Sequence, residues 1–369
     1  MILLGANKRL YSDLLKLLLL CLIFSCKEKR ESHLTTPAFY HWKSTLSLTS
    51  FEKQKLDSLK VKTIYLKFFD VDWDEAYKTP VPVAKLQAAN IPADPLGKLS
   101  GSIQVIPTVF ITNECIQKLD SADAETLALQ IWELIKVTRN TNQWLSRNSF
   151  ADTSEIQIDC DWTASTKNKY FRLLTVLKEH VNKDDGYHKY RLSCTIRLHQ
   201  IKFVSKTGIP PVDRGLLMCY NMGNLKDPAT RNSILETEEL KKYIGNLSAY
   251  PLPLDVAFPL FDWKVLYRNN VYTGLIKGLP ETAFSSSFCS KNGNRYQVLK
   301  DTLLQGYDLR KGDMIRDEQS DIKDVLAASN EVGRHLKNTP LRVSLYHLDS
   351  VILSKYSTHE LESIYNSLH

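Results

Sequence analysis

The sequence lacks the signatures that assign chemistry by inspection. It contains no P-loop and no GxGxxG, so neither a phosphate cradle nor a dinucleotide fingerprint is present. It has no CxxC and no His/Cys pair at zinc spacing, and its first strand-like run carries no His-x-His. No internal repeat and no low-complexity tract interrupts it. No apolar run reaches the roughly 20 residues that a membrane-spanning helix needs. Charge of one sign is also scarce. Of the formal +7, the first 25 residues hold +2 and residues 27–31 a further +1, which leaves +4 on the remainder. That is no nucleic-acid footprint. Beyond Cys21 and Cys26 only five cysteines remain: Cys115, Cys160, Cys194, Cys219 and Cys289. An odd count argues against a complete disulfide framework. Several lie in apolar strand patterns, where buried free thiols are expected.

What is present is a globular composition, 43% apolar and 24% charged over 369 residues. That length allows one large barrel or two ordinary domains. The N-terminus reads as an address. Lys8, Arg9 and Lys16 precede an apolar run over 17–24, the pattern of a secretory signal. The run closes in Ile23-Phe24-Ser25-Cys26, which resembles a bacterial lipobox. The expectation is a signal peptide over 1–25, a lipidated Cys26, and a polar tether over 26–36. Lys27 is not the aspartate that retains lipoproteins at the inner membrane. This predicts an outer-membrane lipoprotein facing the periplasm or the cell exterior, held by its lipidated N-terminus and otherwise monomeric.

Strand-like runs then recur at 39–42, 63–73, 103–113, 155–162, 191–200, 215–222, 255–263 and 342–348. Most are followed by a helical pattern. Thr49 and Glu52 stand at capping-box spacing. Tyr170, Leu173, Leu174, Leu177 and Val181 form one helical stripe. Eight strands with helical crossovers predict a single α/β domain over 37–369, a (β/α)8 TIM-like barrel. The second and fifth crossovers look irregular, and a long excursion over 269–320 follows the seventh strand. Within it, 312–318 reads as a hairpin, a lid over the rim, or a solvated turn. Glu236, Glu238 and Glu239 before Lys241 and Lys242 read as a solvated helix face.

Parity sharpens the barrel. Ile156, Ile158 and Cys160 alternate with Gln157, Asp159 and Asp161; Leu192, Cys194, Ile196 and Leu198 alternate with Ser193, Thr195, Arg197 and His199. Period two sends the polar sets to the barrel axis. There they require partners, so Arg197 is expected to pair with Asp159 or Asp161.

Barrel sites form at the C-terminal strand ends. Those ends supply His41 and Trp42, Asp70, Asp72 and Trp73, Asn113, Asp159 and Asp161 with Trp162, His199, Tyr220 and Asn221, Asp262 and Trp263, and His347 with Asp349. Carboxylates serve as acids, bases or nucleophiles, and aromatic faces form platforms for sugar rings.

Asp159-Cys-Asp161-Trp162-Thr163 resembles the fourth-strand motif of the family 18 glycoside hydrolases, the chitinase group, and Met218-Cys-Tyr220-Asn221 resembles its sixth-strand motif. The resemblance implies that Asp161 and Tyr220 hold the acetamido group of a substrate. It also places the family's catalytic glutamate on Thr163, which cannot protonate a glycosidic oxygen. Over nearly the whole mature chain, with residues 68–73, 196–199 and 251–257, the sequence resembles a group of Gram-negative lipoproteins, a likeness that implies no activity. Three readings follow. One is an envelope-anchored glycoside hydrolase with a relocated acid drawn from Asp70, Asp72, Asp262 or Asp349, with Asp159, Asp161 and Tyr220 in the catalytic set. The second is a non-catalytic glycan-binding barrel. The third is a metal-dependent hydrolase using His41, His199 and strand-end aspartates. The surplus of rim carboxylates over what binding requires places the first ahead. A glycan is the expected partner, with no cofactor, resident metal or nucleic acid.

Overall fold

The computed structural model describes residues 34–96, 103–148, 155–184, 190–337 and 341–368. The expected signal segment, Cys26 and the tether up to residue 33 lie outside the described residues.

The strands, in chain order, are β1 (Thr35–His41), β2 (Thr63–Asp74), β3 (Thr79–Val83), β4 (Gln104–Ile111), β5 (Glu155–Asp159), β6 (Arg191–Arg197), β7 (Arg214–Met218), β8 (Leu254–Pro259), β9 (Asp262–Arg268), β10 (Val271–Ile276), β11 (Cys289–Asn292), β12 (Arg295–Val298), β13 (Thr302–Leu304), β14 (Tyr307–Leu309), β15 (Met314–Gln319) and β16 (Leu341–Tyr346). Eight of them pair in parallel in the order β1, β2, β4, β5, β6, β7, β8, β16, and β16 pairs back onto β1. The sheet is therefore a closed eight-stranded parallel barrel with helices between its strands, the (β/α)8 architecture the sequence predicts. The barrel begins at Thr35, so the last two residues of the expected tether belong to its first strand.

The outer layer forms for the reasons its sequence gives. Thr49 caps the helix Ser50–Ser58 and Glu52 reaches back to it, a complete capping box. In Lys167–Asp184 the whole stripe of Tyr170, Leu173, Leu174, Leu177 and Val181 is buried. Each such side chain removed from water contributes about 1.5–3 kcal/mol. Cys160 and Cys194 lie on the helix-facing side of the barrel with Ile156, Ile158 and Ile196, all fully buried. All five cysteines outside the N-terminal segment are buried and free.

Inside the barrel the polar parity set is paired off in layers. At the N-terminal end Arg342 of β16 reaches Asp255 of β8 (2.8 Å) and Glu155 of β5 (2.7 Å), and Arg214 of β7 also meets Asp255 (2.8 Å). Above them Tyr40 stacks on Tyr65 and donates to Gln157. Thr195 donates to Asp159 at 2.5 Å. These donors and acceptors meet across the axis, whereas the Tyr65 hydroxyl, Gln157 Nε2 and the Ser344 hydroxyl are buried without a partner.

Three features depart from expectation. The second crossover holds a strand, β3, which pairs antiparallel with the overhanging end of β2 from Asp70↔Val83 to Asp74↔Thr79. Pro80 and Pro82 are tolerated there because β3 is an edge strand. The fifth strand stops at Arg197, and Leu198–Lys202 is helical, so His199 sits on an exposed turn and not on the barrel axis. The expected seventh strand is two strands. β8 ends at Pro259, and β9, carrying Asp262 and Trp263, opens an inserted five-stranded antiparallel sheet of order β10-β9-β15-β12-β11. That sheet has its own apolar cluster, which includes Leu266, Ile276, Phe288, Tyr296 and Ile315. Residues 312–318 are no solvated turn. β15 is a central strand of the insertion, and Arg316 and Glu318 are fully buried.

Candidate active site

At the C-terminal ends of the barrel strands two connected hollows open, one of about 690 Å³ and one of about 370 Å³. They share Arg197, Tyr220, Asn221 and Trp263, so they form one two-lobed cleft. Of the rim residues expected from the sequence, the larger lobe also gathers Trp42, Asp159, Asp262, His347 and Asp349. The smaller lobe gathers Asp161 and His199. Six expected residues line neither lobe, Asn113 and Trp162 among them. His41 is buried with its Nδ1 unpartnered. Asp70 pairs with Lys67 at 3.0 Å. Asp72 accepts from the Thr112 hydroxyl and the Trp73 backbone, both at 2.9 Å, so it holds loops together. Trp73 packs on the β2 overhang opposite Pro80.

The centre of the cleft is a charged pair on neighbouring strand ends. Arg197 grips Asp161 with two parallel donors, Nε to Oδ1 and Nη2 to Oδ2, the latter at 2.9 Å. This is one of the two pairings the parity predicts, and its bidentate form fixes both side chains. Gln200 locks the segments behind it, accepting from the Arg197 backbone (2.7 Å) and donating to Trp162 O (2.8 Å). Trp162 itself turns away from the cleft, fully buried and stacked on Tyr170.

Beside the pair, Asp159 is 5% exposed. Burial, reinforced by the neighbouring Asp161 carboxylate, pushes its pKa up to about 6 against the opposing Arg197 cation and Thr195 hydroxyl. The Tyr220 hydroxyl is buried without a partner. Asn221 follows it in the left-handed region (φ 54°). Thr163 is exposed, its hydroxyl shared with Ser165 at 2.8 Å.

The other carboxylates of the cleft are already matched. Asp262 meets Lys355 at 2.5 Å. Asp349 caps the turn Ser350–Leu353 and pairs with Lys43 at 2.7 Å. Burial would raise the Asp349 pKa, but the Lys43 ammonium outweighs it and holds the carboxyl below its usual range. Burial lowers the pKa of His347, of His199, and of His41, the last to about 4. These imidazoles are neutral near pH 7. Among the described residues no three His, Cys, Asp or Glu side chains converge as metal ligands.

The aromatic lining is richer than the sequence reading. Phe110, Phe261 and Tyr346 join Trp42, Tyr220 and Trp263 in the larger lobe. Tyr346 packs against Trp42, Tyr220 and Phe261, with ring centroids 5.5–5.9 Å apart. Lys277, Lys355 and the buried Glu318 were also missed, because the insertion that supplies or meets them carries no barrel periodicity. Strand parity would have found Phe110, which aligns with Asp70 and Asp159 on adjoining strands.

No family model and no curated protein matches the chain. Solved structures do. The spore cortex-lytic enzyme SleL of Bacillus cereus superposes with a TM-score of 0.50 at 13% identity, covering 92% of this chain and 75% of that one. A GH18 chitinase from Cycas revoluta in complex with (GlcNAc)3 gives 0.50 at 12%, covering 90% and 99%. The fold is that of the family 18 chitinases. It is also shared by a chitinase-like agglutinin from Robinia pseudoacacia, with a TM-score of 0.50 at 13% identity, covering 90% and 99%.

Proposed function

We propose that this protein is an envelope-anchored glycan-binding barrel, which holds an oligosaccharide in the two-lobed cleft without cleaving it. The observation that supports this reading is the state of the cleft's acids. Asp161, Asp262 and Asp349 are each neutralised by a cation, and position 163 carries a hydroxyl. General-acid cleavage needs a protonated group over the leaving oxygen. Binding needs flat apolar rings with hydrogen-bond donors beside them, and Trp42, Trp263, Tyr346 and the unpartnered Tyr220 hydroxyl supply both. The fold is used by an enzyme solved with (GlcNAc)3 and by an agglutinin, so β-linked N-acetylglucosamine oligomers are the first ligand to try. The anchor rests on the basic, apolar and Cys26 segments of the N-terminus. In this reading the cleft serves the outer membrane, facing periplasm or exterior.

One observation favours hydrolysis as the second reading: Asp159, whose carboxyl burial pushes up to about 6, lines the larger lobe beside Arg197. A carboxyl that keeps its proton to a higher pH than usual is the pattern of a general acid. The test measures (GlcNAc)3 binding by calorimetry and product release by chromatography on the full-length protein. Binding that weakens in Tyr220→Phe, with no product from the unaltered protein, is expected. Product that vanishes in Asp159→Asn would instead establish the hydrolase.

A further inference from the structure

Trp263 lines both lobes of the cleft, and what holds it lies outside the cleft. It stands on β9 directly across from Glu318 on β15. Its indole Nε1 donates to Glu318 Oε2 at 2.6 Å. The same oxygen accepts from the Ser233 hydroxyl at 2.5 Å, and Glu318 Oε1 accepts from Arg316 Nε at 2.5 Å. The Arg316 and Glu318 side chains are 0% exposed. Arg316 continues to Asp227 O at 2.7 Å and lies over the ring of Tyr267, whose hydroxyl donates to Leu225 O at 2.7 Å. Ser233 and Leu225 belong to the wall of the smaller lobe. One buried carboxylate therefore ties the inserted sheet, the indole and the loop after β7 together.

A buried ion pair contributes little net stability against an apolar replacement, so its place here is best explained by what it orients. Indole has one polar side-chain atom, a donor. Glu318 takes it. We propose that Glu318 is a positioning and specificity-determining residue of the cleft. It consumes the polar edge of Trp263 so that the indole offers a ligand its ring surface alone, which selects a pyranose with a continuous C–H face. This rests on the glycan-binding reading, and its test separates the two.

The full-length protein is labelled with 15N-tryptophan, and the Trp263 indole resonance is assigned by its loss in Trp263→Phe. In Glu318→Gln the charge on the acceptor is gone, so that resonance moves upfield. The affinity for (GlcNAc)3 falls about tenfold, the scale of one charge-assisted hydrogen bond. In a Trp263→Phe background the same substitution produces no further loss, because its effect passes through the indole. Arg316→Met/Glu318→Gln removes the unpaired buried cation and keeps the measurement possible should Glu318→Gln fold poorly. An unmoved resonance, or an equal loss of affinity with and without Trp263, overturns the proposal. If the unaltered protein does not bind (GlcNAc)3, the glycan reading fails while the resonance still decides the positioning.

Discussion

Asp159 and His41 are both buried titratable groups near the top of the barrel, and burial drives them in opposite directions. Asp159 is raised from 3.8 to about 6, so the folded chain holds a proton that the unfolded chain has lost between those values. Its contribution is present at low pH and is lost as pH rises through about 6. His41 is lowered from 6.5 to about 4, so its contribution is present above 6.5 and is lost as pH falls towards 4. Each is worth about 3 kcal/mol over its window, and in the parent protein the two nearly cancel. Urea unfolding at pH 4 to 6.5 is therefore expected to show opposite slopes in two variants. Asp159→Asn loses stability on acidification, whereas His41→Asn gains it. Parallel slopes would refute the assignment. Asp159 was legible in the sequence because period two places it on the axis. The direction of the shift was not, since burial and Asp161 raise it while Arg197 and Thr195 oppose them.

Among elements, the loop after β7 is tightly drawn at Gly223. Gly223 donates to Ser233 O at 3.2 Å, and a Cβ there would stand 2.8 Å from Ser233 Cα and 3.1 Å from Asn232 O. Both are backbone atoms, so the strap must open and draw Ser233 away from Glu318. Gly223→Ala is expected to cost about 1–3 kcal/mol, as overpacking does. Gly245→Ala, which meets nothing within 4 Å, stays within about 0.5 kcal/mol. Urea midpoints of the two variants decide it, and equal midpoints would remove the strap from the account. Legibility was also uneven among elements. The helix Thr237–Ile244 shows the expected pairs, Glu238–Lys241 at 2.7 Å and Glu239–Lys242 at 2.5 Å, because i, i+3 spacing is local. β3 was hidden because a Thr-Pro-Val-Pro-Val segment reads as loop until an edge is there to receive it. β8 and β9 merged because the strand-like run 255–263 continues through the bend at Leu260, whose N–H turns to Tyr346 O.

The molecule as a whole is braced at the bottom of the barrel. Arg342 joins strands that are 187 and 87 residues away from it in sequence, through Glu155 and Asp255, which are 3% and 1% exposed. No sequence pattern announces such a link; strand parity says only that these charges point inward. Arg342→Met leaves two buried carboxylates facing each other, with only Arg214 remaining on one of them. A loss of about 3–5 kcal/mol is expected, read from urea unfolding. A loss below about 1 kcal/mol would mean that water already screens the cluster.

The pairing that closes the barrel has a consequence in time. β1 is complete by residue 41, but one of its two neighbours, β16, begins at residue 341, and the Thr35 hydroxyl reaches Tyr365 O. A ribosome or a translocation pore delivers the chain from the front, so β1 must wait with one edge open while some 300 residues emerge. Closure of so distant a contact is slow, and the waiting edge is open to pairing with other chains. The barrel therefore closes only once residue 341 has emerged, and a chain truncated before it leaves its first strand with one edge unsealed.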